Sequence, residues 1–214
     1  MAQDLFLVVD DSFAQASLIM RRLREAVPDA RVERLSSDGE SQTLDDVGKL
    51  PKTGEPDDYP VNPSPKWARF ERALTHKLKQ RHEGQLFMVV DMYLNRSDLH
   101  VLREETRGML PPMAPRGATS VIRAALKAMD KAQVQGRIAV LSSYLGFRVF
   151  DARDRLECFK EHETSRGRRL CWLPIAVVIQ EELYAPSTIR QLLYDSPTWI
   201  FEEARPRDPI PVPA

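Results

Sequence analysis

Two short apolar runs that each break off in aspartate constrain this chain more than any other feature. Leu5-Phe6-Leu7-Val8-Val9 ends in Asp10-Asp11, and Leu86-Phe87-Met88-Val89-Val90 ends in Asp91. A run with no polar face has to be covered on both sides, which is the habit of strands in parallel sheets sandwiched between helices. Directly after the first run, Ser12 and Gln15 make a capping-box pattern. Ala16, Ile19, Met20, Leu23 and Val27 then recur at helical spacing until Pro28 stops the helix. Strand, acidic turn and amphipathic helix make the first unit.

The rest of the chain repeats that grammar with two interruptions. Arg31 to Leu35 reads as a second strand. Ser36 to Pro65 is polar and carries Pro51, Pro56, Pro60, Pro63 and Pro65, so it reads as a long, mostly irregular insertion. Its residues 38 to 63 offer few apolar side chains to offset ordering entropy and are expected to pack loosely. Ser64 and Pro65 suit the N-cap and first position of a helix whose one face holds Trp67, Phe70, Leu74 and Leu78, a core face by its spacing. A second insertion runs from about 95 to 118, with a helix expected over Leu99 to Thr106.

Ile122, Ala125, Leu126 and Met129 mark the next helix. Arg137 to Leu141 is a further buried strand that ends in Ser142-Ser143. Val149, Ala152, Leu156 and Phe159 outline another helix, and Ser165 to Arg169 reads as a basic loop. Pro174 to Ile179 reads as the last strand, and Ser187 to Leu193 as a short closing helix. The sum is an α/β domain over residues 1–204, a doubly wound, parallel five-stranded sheet of order 2-1-3-4-5, with insertions at about 36–65 and 95–118. Residues 205–214 form a Pro-rich tail. Ligands of such sheets gather at the carboxyl ends of the strands near the switch point, where all the aspartates named above stand.

Composition narrows the function. Lys plus Arg and Asp plus Glu number 31 each, so no bulk charge argues for nucleic acid or a membrane surface. No apolar run is long enough for a bilayer, and the N-terminus lacks the basic region and cleavage site of a signal peptide; the expectation is a cytoplasmic protein. Cys158, Cys171 and the four histidines show no metal-ligand spacing.

Leu7-Val8-Val9-Asp10-Asp11-Ser12, Val89-Val90-Asp91 and Val140-Leu141-Ser142-Ser143 together resemble the receiver domain of bacterial response regulators, in chain order and in strand-end placement. The resemblance covers about residues 4 to 194 and implies a flavodoxin-like receiver fold. It also implies Mg2+ held by Asp10, Asp11 and Asp91 and by the backbone carbonyl of Tyr93. Asp91 would be the phosphoacceptor and Ser142 the hydroxyl that binds phosphoryl oxygens. The implied partners are a histidine kinase or phosphotransfer protein and a downstream protein, in two-component phosphorelay signalling. Three convergent carboxylates repel one another unless a hard cation lies between them, which agrees with those roles.

One departure stands out. Receivers carry a lysine at the end of the fifth strand, where this chain reads Val178-Ile179-Gln180. The switch aromatic on that strand also has no counterpart, since Ala176 and Val177 hold its positions. The site therefore has two further readings: a pseudo-receiver used as a phosphorylation-independent interaction module, and a haloacid-dehalogenase-like phosphatase. In the phosphatase family the general acid two residues beyond the nucleophile would fall on Tyr93. The plain alternative for Asp10 and Asp11 is a pair of helix N-terminal acids favoured by the dipole, and for Ser142 a helix cap.

Overall fold

Both aspartate-ended runs become neighbouring strands. The computed structural model describes residues 3–50, 57–80, 84–91, 93–95, 116–134, 136–142, 169–174 and 186–194. Strand β1 (Leu5–Val9) and strand β4 (Leu86–Asp91) are buried along their whole length and run parallel, with Val9 level with Val90. On the other side of β1 lies β2 (Arg31–Leu35), also parallel. Beyond β4 come β5 (Gly136–Ser142) and then β6 (Arg169–Pro174), both parallel. A short antiparallel strand, β3 (Ser41–Gln42), adds to β2, so the sheet order is β3-β2-β1-β4-β5-β6.

The continuous apolar character of β1 and β4 is explained by what lies on each face. Leu5, Leu7 and Val9, with Leu86, Met88 and Val90, join one core with α3 (Pro65–Lys79) and α4 (Arg116–Ala132). Phe6, Val8, Phe87 and Val89 join the opposite core with α1 (Phe13–Ala26), α2 (Leu44–Lys49) and α5 (Pro186–Tyr194). Phe6 and Phe87 stack at 4.5 Å between ring centres, and Tyr194 meets both edge-on. Each such side chain taken out of water contributes about 1.5–3 kcal/mol, so neither face of the central strands can be left bare.

Helix ends follow the chemistry of their caps. The Ser12 hydroxyl accepts from Gln15 N–H at 3.4 Å, and α1 stops at Ala26, two residues ahead of Pro28. Ser64 accepts from Trp67 N–H at 3.0 Å, with Pro65 in the first turn, as expected. Ser64→Ala should lower stability by about 1 kcal/mol, read as a shifted denaturant midpoint with unchanged slope. Trp67 and Phe70 are core residues; the Trp67 indole N–H donates to the Ser120 carbonyl of α4 at 2.8 Å. Among the described residues no helix is long and apolar enough to cross a membrane.

Three expectations need correcting. Arg169, expected in a loop, opens the strand Arg169–Pro174, while the rest of the expected strand Pro174–Ile179 lies outside the described residues. Arg169 is charged and precedes the apolar run that starts at Leu170, so local pattern leaves it out of the strand; its register opposite Arg137 of β5 puts it in. Residues 36–65 are mostly irregular where described, as expected, but they are not loosely packed throughout. They hold the hairpin partner β3, a capped helix with buried Val47, and Tyr59 at 1% exposure. The hairpin needs Gly39 at φ +82, where a Cβ would also meet Ala73 at 2.7 Å. Finally, α4 begins at Arg116, inside the second expected insertion. The helices expected at Leu99–Thr106 and about Val149–Phe159, the remainder of the second insertion and the tail lie outside the described residues.

Candidate metal centre

The strand order reverses direction between β1 and β4, which makes their carboxyl ends the switch point of the sheet. Asp10 and Asp11 leave β1 there, and Asp91 is the last residue of β4, beside Asp10 in the register that pairs Val9 with Val90. Carboxylate oxygens from all three lie within 4.8 Å of one another, and this group could hold a metal ion. All three residues are buried, with Asp10 at 0% exposure. The juxtaposition expected from sequence is therefore present.

At an effective dielectric near 20, two charges at that separation repel by on the order of 3 kcal/mol. The turn itself absorbs some of this. Ser12 N–H donates to Asp10 Oδ1 at 2.8 Å, and Tyr93 N–H donates to Asp91 Oδ2 at 3.3 Å. The second Asp10 oxygen, Oδ2, is buried and meets no hydrogen-bond donor among the described residues. The Asp10 carboxyl is pushed up to about 7, first by burial and further by the Asp11 charge, against the Ser12 hydrogen bond and the Arg34 charge. A proton or a cation has to supply what the surrounding dipoles do not.

Residues that sequence reading passed over complete the surroundings. Arg34, on β2, is wholly buried. Its Nε and Nη2 donate to the Asp10 carbonyl at 3.1 and 2.9 Å, Nη1 donates to Gln42 Oε1 at 2.6 Å, and Nη2 donates to Asp57 Oδ2 at 2.7 Å. The guanidinium also lies over the Phe13 ring, 4.7 Å from its centre. Asn95, beyond Asp91, donates from Nδ2 to the Tyr59 carbonyl at 3.1 Å. A signal existed for Arg34: a charged residue near the carboxyl end of a strand beside the switch point has to meet something charged or polar.

Of the remaining sequence-predicted positions, Ser142 ends β5, one residue past Leu141, which is level with Asp91. The β6 residue level with Leu141 is Leu173, and Pro174 pairs with Ser142. Gln180, the position assigned to the receiver lysine, and Ser143 lie outside the described residues. Tyr93 is buried and its main chain lies against the Asp91 carboxylate. His76 is exposed on α3. No family model matches the chain, and no curated protein matches it.

Proposed function

We propose that this chain is an atypical receiver-like domain of flavodoxin-like fold that binds Mg2+ among Asp10, Asp11 and Asp91 and accepts a phosphoryl group on Asp91. The observation that carries this reading is the convergence of the three buried carboxylates at the switch point between β1 and β4. Asp10 Oδ2 supports it, since a buried carboxylate oxygen that meets no donor among the described residues suits a cation ligand. Bound Mg2+ would supply charge that offsets the phosphoryl oxygens.

The chain's own residues do the rest. Asp10 and Asp11 hold the cation, with the Tyr93 carbonyl as a further oxygen ligand. An Asp91 oxygen attacks the phosphorus of a phosphohistidine on a histidine kinase or phosphotransfer protein. The P–N bond breaks, its electron pair returns to the imidazole, and an acyl phosphate forms on Asp91. Ser142, at the end of the adjacent strand, offers its hydroxyl to the transferred group. The modified domain then acts on a downstream protein.

With Mg2+ and a small phosphodonor such as acetyl phosphate, intact mass should rise by one phosphoryl group. Asp91→Asn should abolish the gain, and Asp11→Ala should weaken Mg2+ binding. Absence of any gain in the wild type, with Mg2+ bound, sinks the phosphoacceptor reading.

A second reading, a phosphorylation-independent interaction module, is favoured by two observations. Asp91 is only 3% exposed, and the β6 position level with it across β5 is Leu173, so among the described residues that position brings no cation to reward a phosphorylated state. On this reading Mg2+ binds, no phosphoryl group is taken up, and partner binding survives Asp91→Asn.

A further inference from the structure

The segment Asp57–Tyr59 of the first insertion is tied to the acidic turn from several directions. Asp57 N–H donates to the Asp11 carbonyl at 3.0 Å. The Asp57 carboxylate accepts from Arg34 at 2.7 Å and from Ser37 N–H at 2.9 Å. Arg34 in turn grips the Asp10 carbonyl with two N–H groups. The insertion therefore holds the Asp11 carbonyl directly and the Asp10 carbonyl through Arg34 of β2. Farther along, the Tyr59 hydroxyl donates to the Leu35 carbonyl at the end of β2, and the Tyr59 carbonyl accepts from Asn95, beyond Asp91. One short strap thus touches the chain that follows each of β1, β2 and β4.

We infer that Arg34 and Asp57 are positioning residues for the carboxylate triad, and that the strap Asp57–Tyr59 tightens when the triad takes up a divalent cation. The inference rests on the cation-binding reading and adds its regulation. Fixing the carbonyls of Asp10 and Asp11 fixes where their side chains start, and ligands held by such outer contacts bind metal more tightly than loose ones. Charge works in the same direction. The Asp57 carboxylate balances the guanidinium that stands against Asp10; without it, a bare cation would oppose the incoming one. Because the same hydrogen bonds serve the strap and the acidic turn, what one gains from order the other gains in affinity, and the effect is reciprocal.

The test uses the full chain with Mg2+ as the probe, combining calorimetric titration with amide hydrogen exchange over 36–62. In the wild type, saturating Mg2+ should slow exchange across Asp57–Tyr59 about tenfold. Asp57→Asn should bind Mg2+ about tenfold more weakly and lose that protection, while Asp57→Glu recovers part of both. A merely structural role would lower the metal-free melting temperature of Asp57→Asn and leave Mg2+ affinity unchanged, which overturns the inference alone. Wild-type protein that binds Mg2+ without slowing exchange at Asp57–Tyr59 overturns it too, and that arm needs no variant to fold. No Mg2+ uptake by the wild type overturns both this inference and the cation-binding reading.

Discussion

Arg34→Met should lower the stability of the folded protein by about 3–5 kcal/mol at neutral pH, the largest effect expected of any single polar substitution here. Methionine reproduces much of the aliphatic stem, so the loss is not mainly one of packing. Four hydrogen bonds disappear: two to the Asp10 carbonyl, one to Gln42 and one to Asp57. The Asp57 carboxylate, itself 16% exposed, is left without its cation. A denaturant melt measures the loss. Adding Asp57→Asn to Arg34→Met should return 1–3 kcal/mol, roughly, because the orphaned charge goes with it, and a double-mutant cycle isolates that coupling. A loss under about 1 kcal/mol for Arg34→Met would show that the buried guanidinium contributes little beyond what methionine supplies.

The second large effect belongs to Asp10. In metal-free buffer the protein should be more stable near pH 5 than near pH 8, and Asp10→Asn should flatten that difference. The folded-state value of about 7 lies above the ordinary 3.8, so between them the folded state binds more protons than the unfolded one. The favourable contribution is therefore complete below pH 3.8 and is lost as pH rises through 7. The difference corresponds to about 4 kcal/mol as an upper figure. At pH 8 Asp10→Asn should exceed the wild type by on the order of 2 kcal/mol, since an amide keeps the Ser12 contact and carries no charge into the cluster. Mg2+ should reverse the ranking, because it stabilises only the protein that binds it. Thermal melts across pH, with chelator and with Mg2+, provide the comparison. Coincident melting of the two proteins at every pH would remove the claim that Asp10 is held under charge strain.

Both effects come from charge buried at the acidic turn. Such a turn costs folding energy unless a proton or a cation balances its charge. Asp10 and Arg34 sit side by side: the guanidinium takes the backbone carbonyl, and the Asp10 carboxylate oxygen Oδ2 meets no donor among the described residues.

What the sequence determined by itself was everything written in short-range patterns. The uniform apolar runs of β1 and β4 required cover on both faces, and Ser12, Ser64, Pro65 and Pro28 marked helix ends through local hydrogen bonds and ring geometry. Asp10, Asp11 and Asp91 declared themselves by ending those runs, since a polar residue after a buried strand has to sit at the sheet's edge. Tertiary structure decided the rest. Arg169 read as part of a basic loop, and only its register opposite Arg137 of β5 placed it in a strand. The insertion read as loosely packed, yet Asp57 and Tyr59 are held by Arg34, Leu35 and Asn95, partners far along the chain. Arg34 is an ordinary charged residue in sequence; its meaning lies in which strand end it reaches. Local pattern encodes what a segment must bury, while the partner of a buried charge is fixed only once distant strands have been laid side by side.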